Sequence, residues 1–180
     1  MKLIVQIPCL NEEETLPATM ADIPREVECL DRVEILIIDD GSTDRTAELA
    51  RECGADHIIR FPQNRGLGHA FKAGFDNALR LGADIIINTD GDNQYFGGDI
   101  RELVKPILEG RADLVIGDRR TGDIGHFNFL KRTLQKFGSR VISRLGGLEI
   151  PDVASGFRAY TRETALKISM FTDFDHTAEH

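Results

Sequence analysis

The sequence predicts an α/β protein, a mostly parallel sheet with helices on both faces. Two observations carry this. Apolar runs of about the length of buried strands, roughly four to eight residues, recur along the chain at Lys2 to Pro8, Val33 to Asp39 and Ile85 to Asn88. Between them lie longer segments with apolar residues at helical spacing, and alternating strands and helices build parallel βαβ units. A third observation points to where function sits. Several of the runs end on carboxylates, and open α/β sheets bind ligands at the carboxyl ends of their strands.

Taken in order, Lys2 to Pro8 is the first strand. Asn11 can cap a helix from Glu12 to Met20, whose first turn carries Glu12, Glu13 and Glu14, where negative charge is favourable. Val33 to Asp39 is the second strand. Ser42 or Thr43 caps a helix through Cys53, and Gly54 ends it. His57 to Arg60 is a third strand. Gly66 to Leu81 is a helix with Leu67, Phe71, Phe75, Ala78 and Leu79 on its apolar stripe, stopped at Gly82. Ile85 to Asn88 is the fourth strand, and Asp99 to Leu108 is a helix that Pro106 limits or bends. Leu114 to Gly117 is the fifth strand.

The 180 residues fit one domain spanning 1–180 with a sizeable core. A net charge of −8 argues against general nucleic-acid binding. Cys9, Cys29 and Cys53 form no CxxC pair, so free thiols in a reducing cytosol are expected. No signal peptide is expected, since Met1 leads straight into a strand-like run, and no apolar stretch approaches the ~20 residues that span a bilayer. The C-terminal Asp175-His176-Thr177-Ala178-Glu179-His180 lacks a helix stop, and further elements are expected beyond it.

The most informative stretch is Asp90-Gly91-Asp92-Asn93-Gln94, directly after the fourth strand. Two carboxylates one residue apart, with an amide oxygen at Gln94, are hard ligands suited to Mg²⁺ or Mn²⁺, and such an ion commonly meets a diphosphate. An EF-hand starting at Asp90 fails, because Arg101 falls where the loop needs Glu. A phosphatase of the haloacid-dehalogenase type needs Thr or Val where Gln94 stands. The bland alternative is an acidic surface turn.

Two other strand-end loops accompany it. Pro8-Cys9-Leu10-Asn11-Glu12 can cup a base and ribose, with Glu12 accepting hydroxyl hydrogens, or can simply start a helix. Asp39-Asp40-Gly41-Ser42-Thr43-Asp44 can offer Asp40 to the edge of a base, or be a capping turn. Neither loop is a dinucleotide fingerprint. Gly66-Leu67-Gly68 precedes a helix, but the third glycine comes only at Gly74, too late for GxGxxG. Arg119, after the fifth strand, can grip a phosphate or be a solvated turn residue. Residues 125–148 contain no acid and carry Lys131, Arg132, Lys136, Arg140 and Arg144 beside a stripe of Leu130, Leu134, Phe137, Val141, Leu145 and Leu148. Such a helix can pack on its own domain or lie on an anionic membrane surface.

Together these motifs resemble glycosyltransferase family 2, with its GT-A, Rossmann-like fold. Pro8-Cys9-Leu10-Asn11-Glu12 looks like the family's PxxNE loop and Asp39-Asp40-Gly41-Ser42-Thr43-Asp44 like its DDGSxD loop. Asn64-Arg65-Gly66-Leu67-Gly68 with Ala70 and Gly74 looks like its NxGxgxAxxxG helix start, and Asp90-Gly91-Asp92 like its DxD metal motif. The closer resemblance is to dolichol-phosphate mannose synthases and bacterial polyprenyl-phosphate glycosyltransferases. There the metal loop reads DxDxQ, matched by Asp90, Asp92 and Gln94, and a later SGF segment is matched by Ser155-Gly156-Phe157. Asp118 departs from the branch, which commonly has Ser before the matched Arg119.

The resemblance implies transfer of a sugar from a GDP- or UDP-sugar to a polyprenyl phosphate, with inversion, at the cytoplasmic face of a membrane to which the protein attaches peripherally. It implies nucleotide-sugar contacts at Pro8, Leu10, Asn11, Glu12, Asp40, Gly68, Lys72, Asp90 and Gly91, and Mg²⁺ or Mn²⁺ held by Asp90, Asp92 and Gln94. Asp92 and Arg119 are implied in catalysis. Arg119, Lys131, Arg132, Lys136 and Ser139 are candidates for the acceptor phosphate. A phosphate acceptor is already an anion and needs no base; a glycan hydroxyl would need one, for which Asp152 is the candidate. Transfer to a glycan hydroxyl, and a nucleotide-sugar-binding module without turnover, are the two alternatives.

Overall fold

Strands β1 (Lys2–Cys9) and β2 (Arg32–Asp39) are buried along nearly their whole length. A strand covered on both faces reads as an unbroken apolar run rather than an alternating one. The structure, a computed structural model, describes residues 1–92, 97–117 and 156–175. Its remaining elements are α1 (Leu16–Asp22), α2 (Thr46–Glu52), β3 (His57–Arg60), α3 (Leu67–Arg80), β4 (Ile85–Asn88), a 3₁₀ turn (Gly97–Asp99), α4 (Ile100–Leu108), β5 (Leu114–Ile116), β6 (Arg158–Thr161) and α5 (Arg162–Asp175). The six strands lie in the order β3-β2-β1-β4-β6-β5. The β1, β2, β3 and β4 pairings are parallel, whereas β6 runs antiparallel to both β4 and β5.

The pleat divides the core in two. Leu3, Val5 and Ile7 of β1, with Ile85 and Ile87 of β4, face Leu16 and Met20 of α1 and Leu103 and Val104 of α4. The alternate positions Ile4, Leu36, Ile38 and Ile86 face Ala70, Phe75, Ala78 and Leu79 of α3, together with Tyr160 and Ala165. Phe75 and Tyr160 meet edge to face with centroids 4.9 Å apart, a favourable geometry for rings. The Arg162 guanidinium at the start of α5 donates to the carbonyls of Leu79 and Ala83. It thereby ties the start of α5 to the turn that follows α3.

The expected α/β architecture with helices on both faces is the one observed, and the strands after Lys2, Val33, His57, Ile85 and Leu114 are present. Three local expectations differ. The first helix begins at Leu16, not Glu12. Asn11 has φ +55°, a left-handed conformation that does not cap a helix in the usual way, and the amides of Asn11, Glu12 and Glu13 are bound by the neighbouring loop. Ser42 and Thr43 do not cap the second helix, which begins at Thr46 with its amide on Asp44 Oδ1. Leu67, placed by periodicity on the buried stripe of α3, is 67% exposed. Strand β6 was not expected: it has only four residues, RAYT, and polar ends.

Gly74 is where α3 comes closest to the sheet. A Cβ there would stand 2.1 Å from Gln6 Oε1 and 2.9 Å from Ile38 Cδ1. The Gly74→Ala protein should therefore lose about 1–3 kcal/mol of stability, the usual cost of overpacking a core. Urea denaturation followed by circular dichroism checks this; an unchanged midpoint would show that α3 shifts at no cost.

Candidate active site

A parallel sheet delivers all its strand ends to one edge, and here β1, β2 and β4 bring their following loops together. A cleft of about 260 Å³ opens between them, lined by Pro8, Cys9, Leu10 and Glu12 from the first loop and Asp40 from the second. Asn64, Gly66, Leu67 and Ala70 supply the wall at the start of α3, and Asp90, Gly91 and Asp92 close the cleft after β4. The exposure of Leu10 and Leu67 follows from this: both stand at the cleft.

The loops after β1 and β2 are laced by reciprocal hydrogen bonds. The Asn11 amide donates to Ser42 Oγ at 3.0 Å, and the Thr43 amide donates back to Asn11 Oδ1 at 2.9 Å. The Glu13 amide donates to Asp44 Oδ2 at 3.2 Å, and the Arg45 amide donates back to Glu13 Oε2 at 2.9 Å. Between these pairs the Glu12 amide donates to Thr46 Oγ1, whose hydroxyl donates in turn to Asp44 Oδ1. Burial would raise the Asp44 carboxyl, but hydrogen bonds from the Thr46 side chain and amide and from the Glu13 amide hold it below its ordinary value. Glu13 and Asp44 are thus occupied in fixing the backbone of the facing loop, and Asp44 also accepts from the first amide of α2.

The adjacent carboxylates Asp39 and Asp40 are both buried and both used. Asp39 Oδ1 accepts from the Ser42 amide at 2.8 Å. Arg60 Nε stands 3.0 Å from Asp39 Oδ2, within ion-pair distance but not aligned as a hydrogen bond. Asp40 accepts from the Arg65 amide through one oxygen, at 2.8 Å, and from the Gly66 amide through the other, at 2.9 Å. This sets the segment 64–67 as a wall of the cleft. Each carboxylate oxygen can accept more than one hydrogen bond, so Asp40 keeps capacity for a further donor in the cleft. Gly41 packs so closely on this wall that a Cβ would fall 2.4 Å from the Gln63 carbonyl carbon.

Asp90 and Asp92 follow β4 at the opposite side. The Gly91 carbonyl accepts from Thr19 Oγ1 at 3.1 Å, which ties the loop to α1. A Cβ on Gly91 would lie 3.1 Å from Cys9 Sγ and 3.4 Å from Glu12 Cγ, so the first and third loops touch. A Cβ on Gly156 would lie 2.5 Å from Asp90 Oδ2. The donors that Asp90 and Asp92 offer are hard carboxylate oxygens. Cys9 is the soft donor of the cleft, but burial, and then the charges of Glu12, Asp39, Asp44 and Asp90, push its thiol well above the usual range. It stays protonated and is a poor metal ligand. The set fits Mg²⁺ or Mn²⁺ rather than a thiophilic ion. Among the described residues no group of three His, Cys, Asp or Glu side chains is placed to hold a metal. Further ligands would have to come from elsewhere: Gln94, water or a bound diphosphate.

Of the candidate residues, the structure brings Pro8, Leu10, Glu12, Asp40, Asp90, Gly91 and Asp92 to one cleft. Asn11 and Gly68 are not among its lining residues, and Asn11 acts in the lacing instead. Lys72 lines a separate hollow of about 330 Å³ with Phe61, Arg65 and His69, and pairs with Asp76 at 3.2 Å. Gln94, Arg119, Lys131, Arg132, Lys136, Ser139 and Asp152 lie outside the described residues. Sequence reasoning left Cys9, Asn64, Gly66, Leu67 and Ala70 out of the site. The available signal was that Asn64, Leu67 and Ala70 belong to the motif at the start of α3.

A sequence profile of Glycosyl transferase family 2 matches residues 4–168. The chain is 34% identical over 176 residues to polyprenol monophosphomannose synthase of Mycolicibacterium smegmatis, a match covering 94% of this chain and 65% of that protein. It is 30% identical over 176 residues to undecaprenyl-phosphate mannosyltransferase of Micrococcus luteus, covering 94% of this chain and 70% of that one. The fold matches glucosyl-3-phosphoglycerate synthase from Mycobacterium tuberculosis, solved with Mn²⁺, UDP-glucose and phosphoglyceric acid. The TM-score is 0.71 at 26% identity, over 90% of this chain and 57% of that one. The chain therefore spans from 57% to 70% of the length of these three proteins. With the profile running over most of its length and a solved relative sharing its sheet, the chain belongs to glycosyl transferase family 2 and has the GT-A fold.

Proposed function

We propose that this protein transfers a sugar from a GDP- or UDP-sugar to a polyprenyl phosphate, with inversion at the anomeric carbon, and that it needs Mg²⁺ or Mn²⁺. The observation that carries this reading is the cleft itself, where Asp90 and Asp92 face a wall fixed by Asp40. The two relatives whose names specify polyprenyl acceptors support the choice of acceptor.

In this reading Pro8, Leu10, Glu12 and Asp40 hold the nucleoside, with Glu12 accepting from ribose hydroxyls and Asp40 from the base edge. Asp90 and Asp92, with Gln94, would hold the cation, and Gly91 lets their loop pack closely on Cys9 and Glu12 beside the donor. A cation held there would supply positive charge against the negative charge that develops on the departing nucleoside diphosphate. Arg119 contributes a guanidinium to that same charge. Lys131, Arg132, Lys136 and Ser139 orient the acceptor phosphate. One of its oxygens forms the new bond to the anomeric carbon as the bond to the diphosphate oxygen breaks. The phosphate is already ionised near neutral pH, so no residue has to take a proton from it. Asp152 would act as a base only with a hydroxyl acceptor.

The fold match to an enzyme crystallised with phosphoglyceric acid favours one other acceptor class, a small soluble phosphorylated acid. Purified protein with a panel of nucleotide sugars, Mn²⁺ and either polyprenyl phosphate or phosphoglyceric acid separates the two. The expected product is glycosyl polyprenyl phosphate, lost on chelation of the metal. Product on the soluble acid alone would replace the lipid reading. Donor binding without transfer or hydrolysis would leave a binding module.

Three variants extend the test. The Asp92→Asn protein should keep its fold and lose most turnover, with donor affinity no longer responding to Mn²⁺; metal-dependent transfer at the parental rate would sink the assignment. In the Asp40→Asn protein only one side-chain oxygen remains to accept from Arg65 and Gly66. The freed amide should exchange its hydrogen faster, stability should fall by about 1–3 kcal/mol, and nucleoside diphosphate should bind more weakly. Unchanged exchange at residues 65–66 would contradict the geometry.

Neutralising Lys131, Arg132, Lys136, Arg140 and Arg144 together should weaken attachment to anionic vesicles. Each basic group near such a surface contributes about 1 kcal/mol, screened by salt. Among the described residues no helix is long and apolar enough to cross a membrane; the attachment proposed here, at the cytoplasmic face, runs through this basic segment. Equal co-sedimentation of parent and neutralised protein at low and physiological salt would mean that this segment packs inward.

A further inference from the structure

Two amides interrupt the apolar interior of the sheet: Gln6 in β1, 0% exposed, and Asn88 at the end of β4, 4% exposed. Gln6 Nε2 donates to Asn88 Oδ1 at 3.0 Å, and Asn88 Nδ2 donates to the Gly156 carbonyl at 2.8 Å. The polarity of this relay is set from its far end. A backbone carbonyl only accepts, so Asn88 must turn its NH₂ toward Gly156. Its oxygen then faces Gln6, which must present its own NH₂. Gln6 Oε1 is thereby turned against Gly74 of α3 and is buried with no hydrogen-bond partner. A buried amide oxygen left in this state in a native protein calls for a reason. Packing does not supply one, since an apolar side chain would fill the slot without stranding an oxygen.

The reason lies at Gly156. Its Cα is so close beneath the Asp90 carboxylate that a Cβ would fall 2.5 Å from Oδ2 and 2.9 Å from Oδ1. Asn88 stands two residues before Asp90 and holds the backbone on which that carboxylate rests. The β4–β6 ladder, which pairs Asn88 with Arg158, does not reach Gly156; the Asn88 side chain does. We propose that Asn88, oriented by Gln6, is a positioning residue. It holds Gly156 against Asp90 and so fixes the direction in which Asp90 presents its oxygens to a divalent cation. This rests on the reading of Asp90 and Asp92 as cation ligands. It differs from a purely structural role, which would affect stability and leave cation affinity alone.

The test measures Mn²⁺ affinity by electron paramagnetic resonance with saturating nucleoside diphosphate, nucleoside diphosphate affinity without metal by calorimetry, and thermal unfolding. The variants are Asn88→Leu, Asn88→Ser and Gly156→Ala. Asn88→Ser leaves room for water to satisfy both neighbours, and Gly156→Ala pushes on Asp90 while leaving the relay in place. The parent should bind Mn²⁺; if it does not, the cation reading falls and this proposal falls with it. Each folded variant should bind Mn²⁺ about ten-fold or more weakly, the usual consequence of loosening a group that orients a metal ligand. Metal-free nucleoside diphosphate affinity should stay at the parental level. Should Asn88→Leu fail to fold, the other two variants decide. Parental Mn²⁺ affinity in the folded Asn88 variants would overturn the proposal, as would an equal loss of metal-dependent and metal-free binding.

Discussion

Loops at the carboxyl ends of parallel strands carry amides that no neighbouring strand can pair, and such amides bond to water or to other acceptors. In this protein the loops after β1 and β2 serve as each other's partners. Asn11, Glu13, Ser42 and Asp44 each take part in an exchange across the gap. The exchange holds two loops in register over a stretch where neither has regular structure. It also explains why α1 starts late, because the residues that would form its first turn are bound sideways. Everything else at the cleft is built on this frame. Asp40 leaves the second loop to fix the wall at Arg65 and Gly66, and Gly91 packs on Cys9 and Glu12 of the first.

How far this was legible in the sequence depends on the distance over which each interaction acts. Strands β1, β2 and β4 declare themselves, because burial on both faces demands uninterrupted apolar residues. The helix at 67–80 does so through its stripe, and its one misplaced residue, Leu67, is apolar for the sake of the cleft rather than the core. The strand-end loops were recognisable as a set because each directly follows an apolar run. Their internal use of carboxylates was not, since lacing and capping ask for the same residue types. Strand β6 escaped because four residues with Arg158 and Thr161 at the ends carry no period. Its place between β4 and β5 is set by pairings across about 70 residues of sequence that no local pattern records. Gln6 was visible as a polar residue within an apolar run, but its partner's partner, Gly156, lies 68 residues beyond Asn88.

The distribution of charge gives the site its chemical character. Glu12, Asp40, Asp90 and Asp92 line one cleft of about 260 Å³ in a chain of net charge −8. Like charges a few ångströms apart near a protein surface repel by several kcal/mol before screening. A diphosphate entering such a cleft alone would meet carboxylates on two sides. A divalent cation bound there would reverse the sign locally, and the carboxylates that repel the bare ligand would be the ones to retain it. Burial first, and then the same acidity, raises the Cys9 thiol, the soft donor of the cleft. A preference for a hard ion over a thiophilic one would follow from the same feature, a set of carboxylate oxygens in loops at strand ends. Within that set Asp40 builds the wall through the amides of Arg65 and Gly66, and Asp90 and Asp92, across the cleft, are the pair to which a hard ion would bind.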